Sequence, residues 1–169
     1  MTQINRNQFL RGKWKTKEIP VRPPWSVEED TFIDRCRGCL RCGDCVSVCP
    51  EKILISGNGG FPVTDFTSGG CNFCGKCVEA CPSGALDSAL EQAWSYRGKI
   101  SNGCLSIKGV ECRSCGETCE TAAISFHPKL GGVVEPMLDP HACTGCGECI
   151  GVCPVSALSI EIPREIIHE

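Results

Sequence analysis

Bulky side chains are scarce in this sequence. Its 169 residues include only 3 Trp, 1 Tyr, 6 Phe and 2 Met. Apolar burial alone stabilises a chain of this length poorly when so few large groups are there to bury. No apolar run approaches the roughly 20 residues of a bilayer-spanning helix, so no membrane span is expected. The stretch from Met1 to Trp25 is polar and basic with no apolar segment after it. That argues against a secretory leader, and a cytoplasmic protein is the expectation. Charge is nearly balanced, 17 Lys and Arg against 20 Asp and Glu for a net −3. No strong attraction to nucleic acid follows, and no such partner is expected. Dinucleotide, P-loop and Ser–His–Asp motifs are missing, as is a C-x3-C-x2-C run of the radical type. No enzyme is expected.

What is abundant is cysteine, with 17 residues, and glycine, with 19. A reducing compartment favours metal over disulfides for so many thiols, and the cysteines are strongly patterned. Cys39-x2-Cys42-x2-Cys45-x3-Cys49-Pro50 is repeated as Cys71-x2-Cys74-x2-Cys77-x3-Cys81-Pro82 and as Cys143-x2-Cys146-x2-Cys149-x3-Cys153-Pro154. A stretched copy, Cys104-x7-Cys112-x2-Cys115-x3-Cys119, is followed by Glu120 in place of proline. Such internal repeats decide the fold class before any other feature.

The regular run is the bacterial pattern of cysteine ligation to [4Fe–4S] clusters. Two-residue spacers let a tight loop turn three thiolates toward one centre, with backbone N–H groups facing the cluster sulfurs. The longer spacer suits one helical turn, which aims the fourth thiolate at the neighbouring cluster. Crossed ligation therefore gives Cys39, Cys42, Cys45 and Cys81 to one cluster and Cys71, Cys74, Cys77 and Cys49 to the next. In the second half Cys104, Cys112 and Cys115 join Cys153, while Cys143, Cys146 and Cys149 join Cys119. Gly43, Gly75 and Gly147, and Gly116 in the stretched block, are expected where a side chain would hold the backbone off the cluster. Four clusters carrying about −2 each would bring the loaded protein to roughly −11, which favours a cationic redox partner protein. Structural zinc uses C-x2-C pairs rather than repeated triplets, and close-spaced triplets cannot all meet disulfide geometry. The stretched block leaves open three cubanes or a three-iron cluster. Cys36 is left over, either a thiol beside the first cluster or a ligand exchanging with Cys39. His141, close to Cys143, reads as a surface residue.

Between the blocks, residues 52–66 and 122–138 each read as two short strands around glycine turns, at Gly57 to Gly60 and at Gly131 and Gly132. Residues 155–162 read as a closing strand. The expected fold is α+β, two tandem bacterial-type dicluster ferredoxin modules at 34–90 and 104–163. A partly helical linker at 91–103, an irregular N-terminal extension at 1–33 and a tail at 164–169 complete the chain. The extension begins with Arg6, Arg11, Lys13, Lys15, Lys17 and Arg22 against Glu18 alone. It is either a solvated tail or a docking arm for an acidic partner.

The order of blocks, the stretched CLSIKGVECRSCGETCE, the early RGKW and the RPPW before the first block together resemble the NapF family of ferredoxin-type proteins. The resemblance covers nearly the whole chain and agrees with the sixteen ligands above. It implies a cytoplasmic accessory protein that helps mature the catalytic subunit of periplasmic nitrate reductase. A general electron-carrier subunit and a cluster-carrying assembly factor are the alternatives.

Overall fold

The computed structural model describes residues 20–37, 42–128 and 134–162. Each cysteine block contributes a single helical turn: α2 (Asp44–Ser47), α3 (Lys76–Glu79), α4 (Ser114–Glu117) and α5 (Glu148–Gly151). Each turn is capped at its C-terminal end by the residue just before the block's fourth cysteine. Proline after that cysteine in three blocks removes the donor that a longer helix would need.

The segments between blocks form antiparallel ribbons. β1 (Leu54–Ser56) pairs with β2 (Pro62–Thr64), Leu54 facing Thr64. β4 (Ile124–Pro128) pairs with β5 (Val134–Leu138), Ile124 facing Leu138. Both ribbons were legible in the sequence; the turn at Gly131 and Gly132 lies outside the described residues.

A third ribbon joins β3 (Arg97–Ile100) to β6 (Leu158–Glu161), Ile100 facing Leu158. β6 is the expected closing strand. β3 falls within the expected partly helical linker, which is thereby corrected: a strand stands there, and it belongs to the second half. In the first half the same place is taken by the segment before the first block. Ser26 bridges Leu86, five residues after Cys81, just as Leu158 stands five residues after Cys153.

The extension is therefore not irregular throughout. α1 (Glu29–Arg37) runs across the boundary expected at residue 33. Phe32, Pro23 and Pro24 are among the largest fully buried side chains. Arg22 is not a tail cation: it holds Glu29 through Nη2 at 2.7 Å and Nε at 2.9 Å. Its guanidinium lies 4.9 Å from the Phe32 ring centre and 5.6 Å from that of Phe61. In a chain short of aromatics this segment adds Phe32 to the core, with Val21, Trp25 and Val27 packed against it. The other basic residues named above, Arg6 to Lys17, lie outside the described residues, as does the tail at 164–169.

The main core holds Phe32, Ile53, Leu54, Phe66, Leu86 and Trp94, with Cys36, Cys45 and Cys77 among them. A smaller core in the second half is built on Ile124, Leu158 and Cys115. Ile150 packs against both. Among the described residues no helix is long and apolar enough to cross a membrane.

Candidate metal centres

The third cysteine of every block, Cys45, Cys77, Cys115 or Cys149, is the second residue of its helical turn. In three blocks the residue capping the turn is a glycine in the left-handed region, with φ 61° at Gly43, 76° at Gly75 and 82° at Gly147. The stretched block departs from the expectation here. Its capping residue is Arg113 at φ −133°, so Gly116 is not the counterpart of those glycines. Gly116 lies inside α4, where a Cβ would come 2.5 Å from the Phe126 ring. Packing, rather than backbone conformation, requires glycine at that position.

A second recurrent feature follows the fourth cysteine. Three residues beyond it, the chain turns through positive φ: Lys52 at 54°, Gly84 at 66°, Ala122 at 50° and Ser156 at 48°. Three of the four are not glycine, a conformation that costs about 1–2 kcal/mol per residue. The turn buries the next residue, Ile53, Ala85, Ala123 or Ala157. It also aims amides back at the fourth sulfur: Ala157 N donates to Cys153 Sγ at 3.2 Å. Sequence reading missed this. The signal available was a small or apolar residue four positions after each block's last cysteine.

The thiols group across blocks. Cys45 is pushed up to about 12, chiefly by burial and then by the charges of Cys42, Cys81, Cys36 and Cys77. Cys71 likewise stands at about 12, raised mainly by burial, opposed by the Phe73 amide and supported by the charges of Cys77, Cys49 and Cys74. Cys77 reaches about 11 by burial against the amides of Val78 and Cys77, with Cys74 and Cys49 nearby. Cys49, Cys71, Cys74 and Cys77 line one cavity, with Gly75 on its wall. In the second half Cys115 is raised by burial and then by Cys104, Cys112 and Cys153. Cys149 rises to about 12 by burial, with Cys146, Cys143, Cys115 and Cys119 around it. Cys45, Cys71, Cys77, Cys115 and Cys149 thus each have thiols of both blocks of their own half as neighbours. Cys39 lies outside the described residues. Cys36, buried near the end of α1, is close enough to Cys45 to raise its thiol.

The seven-residue spacer of the stretched block does not carry Cys104 away. Lys108 N donates to Cys104 O at 3.1 Å and Val110 N to Leu105 O at 2.9 Å, which folds the insertion into a compact loop. Fully buried Ser106 fixes it by donating to Val134 O at 2.6 Å.

Two of the fourth cysteines behave differently. Burial raises Cys81, but the Ser83 hydroxyl and the amides of Leu86, Ser83 and Ala85 outweigh it and lower the thiol overall. Cys119 is likewise raised by burial and lowered overall by the Thr121 hydroxyl and the amides of Ala123, Ile124 and Thr121. These donors favour the ionised form of each sulfur.

The donor set fits a multi-iron group. Among the described residues no group of three or more Cys, His, Asp or Glu side chains closes on a point as one metal ion needs. Desolvated thiols gathered around a shared space repel one another when ionised, and cationic iron between them would reverse that penalty. The other sequence-derived residue, His141, is exposed, its amide donating to Asp139 Oδ1 at 2.9 Å.

Comparison with known proteins agrees with this architecture. Residues 38–86 and residues 108–157 each match a 4Fe–4S dicluster domain. The "Ferredoxin-type protein NapF" of Haemophilus influenzae is 44% identical over 167 residues, covering 93% of either chain. Its namesake in Escherichia coli K12 is 39% identical over 157 residues, covering 93% of this chain and 94% of that one. The Escherichia coli "Ferredoxin-type protein NapG" is 30% identical over 166 residues, covering 85% and 70%. The fold is α+β with two tandem dicluster modules, as expected. With its repeated thiol sets and near full-length likeness to these proteins, the chain belongs to the NapF family of ferredoxin-type iron–sulfur proteins.

Proposed function

We propose that this protein holds four [4Fe–4S] clusters and uses them to carry electrons as an accessory to the periplasmic nitrate reductase system. The observation that carries this reading is the pair of dicluster domains with their repeated cysteine blocks, in the first of which Cys49 lines one cavity with Cys71, Cys74 and Cys77 of the next block. The clusters would be held by Cys39, Cys42, Cys45 and Cys81; by Cys71, Cys74, Cys77 and Cys49; by Cys104, Cys112, Cys115 and Cys153; and by Cys143, Cys146, Cys149 and Cys119. Each would supply one-electron redox chemistry. The chain's own part is to exclude water with the apolar core and to present amide and hydroxyl donors to the ligand sulfurs. With all positions filled by thiolates, no open iron site remains for a substrate, and the protein is not an enzyme.

Family membership supports the catalytic subunit of periplasmic nitrate reductase as partner, met in the cytoplasm before its export and helped to mature there. Iron and sulfide per chain, with spin counting during a reductive titration of anaerobically prepared protein, test the cofactor reading. About sixteen irons and four reducible spins support it; about twelve irons remove the stretched block from the count. Co-purification with the cytoplasmic precursor of the catalytic subunit tests the partner. Retention of a different oxidoreductase in its place would favour a general electron carrier. Clusters that resist reduction would favour an assembly factor.

A further inference from the structure

The two halves meet along a seam, and the four thiol sets do not lie equally near it. Cys71 N donates to Cys146 O at 2.8 Å, a direct backbone link between ligand residues of different halves. The space beside that bond is lined by Cys71, Cys119 and Cys146, with Glu51, Glu120 and Glu148 at its edge. No described thiol of the first or third set lines it. The approach is close enough to demand glycine. A Cβ on Gly70 would come 2.7 Å from the backbone nitrogen of Glu148, and one on Gly147 would strike the Phe66 ring. On the flank, Trp94 Nε1 donates to Thr144 O at 3.1 Å, one residue from Cys143.

We infer that the Cys71/Cys74/Cys77/Cys49 and Cys143/Cys146/Cys149/Cys119 sets are the inner pair through which the halves exchange electrons. The sets of Cys42, Cys45 and Cys81 and of Cys104, Cys112, Cys115 and Cys153 form the outer ends. This rests on the four-cluster reading. Tunnelling falls steeply with distance and less steeply along bonded paths, and the Cys71–Cys146 hydrogen bond supplies such a path at the seam. With clusters held by the two inner sets, a single electron would pass from the reduced one to the oxidised one, with no bond made or broken. An electron entering at the first set would cross both halves in the order first, second, fourth, third set, and one entering at the third set in the reverse order; neither is the order of the sequence.

Two full-length variants, loaded anaerobically and fully reduced, test the assignment by spin–spin splitting in their EPR spectra. The first empties the outer sets (Cys42→Ala, Cys45→Ala, Cys104→Ala and Cys115→Ala). The second empties the inner sets (Cys74→Ala, Cys77→Ala, Cys146→Ala and Cys149→Ala). At about eight irons each, the first should keep the splitting and the second should lose it; any other pattern overturns the assignment. If either fails to load, Gly70→Val in the otherwise intact chain decides. Its side chain wedges the seam without replacing a ligand, so the spectrum should resolve into two independent pairs, and one identical to the wild type overturns the assignment. The wild-type iron count judges the underlying reading separately. A count near sixteen with splitting confined to the second variant sinks the seam and spares the four clusters. A count near twelve with splitting kept in the first variant does the reverse.

Discussion

Removing the Ser83 hydroxyl should lower the reduction potential of one cluster only, and that cluster should be the one bound mainly by the preceding block. Ser83 Oγ lies 3.5 Å from Cys81 Sγ and accepts from Ala85 N at 3.4 Å. Its contact with the sulfur is the largest of the hydrogen bonds that lower the Cys81 thiol against the opposing effect of burial. When the sulfur is an iron ligand, the hydroxyl donates to it, and that bond strengthens as the cluster gains negative charge. Hydrogen bonds to charged groups contribute about 1.5–3 kcal/mol. Only the part that grows on reduction moves the potential, and at this separation we take it as about 0.5–1.5 kcal/mol. For a one-electron couple, with 59 mV per tenfold change in equilibrium constant, Ser83→Ala should lower one midpoint by roughly 20–60 mV. The amide donors of Leu86, Ser83 and Ala85 remain, so the cluster should still assemble. EPR-monitored redox titration reads the shift. In a Cys42→Ala, Cys45→Ala background, which empties the first set, Ser83→Ala should move no remaining midpoint. A shift that survives there would place Cys81 with its own block and refute crossed ligation; a rise in midpoint would refute the hydrogen-bond argument.

Phe32→Ala removes a ring with no solvent exposure that also carries the Arg22 guanidinium, and should cost about 3–5 kcal/mol. Denaturant unfolding followed by cluster absorbance checks it, and a loss under about 1 kcal/mol would deny that the segment before the first block is part of the core. Gly147→Ala combines φ 82° with a collision against Phe66, so it should cost more than the 1–2 kcal/mol of the backbone conformation alone. Gly69→Ala, whose Cβ would meet nothing within 4 Å, should stay within about 0.5 kcal/mol of the wild type; equal melting shifts in the two would contradict the seam packing. Cys36→Ala should still bind about sixteen irons, whereas a loss of about four would make Cys36 a ligand of the first set.

Much of the candidate site was legible because cluster ligation is a local device. A two-residue spacer and a one-turn spacer dictate how near two sulfurs can come within one block, whatever the rest of the chain does. The ribbons at β1–β2 and β4–β5 were legible for the same reason, since their partners are close in sequence and flank glycine turns. β3 was not. Tyr96-Arg-Gly-Lys-Ile100 shows little alternation, and its strand character comes from pairing with residues 158–161, across the whole second module. Arg22 was read as part of a basic run because spacing along the chain says nothing of Glu29, Phe32 and Phe61 closing around it. Gly116 was aligned by residue type, while the helical turn shows that Arg113 holds the equivalent place.

The sequence by itself determined the chemistry: which atoms could bind iron, in four blocks, with the fourth thiolate of each block thrown clear of the first three by one helical turn. Tertiary structure alone decided the seam. Cys71 and Cys146 are brought to hydrogen-bonding distance by the packing of Phe66 and Trp94 against the fourth block and by the absence of a side chain at Gly70. That closeness depends on three-dimensional packing between elements remote in sequence, and a spacing pattern carries no record of such packing.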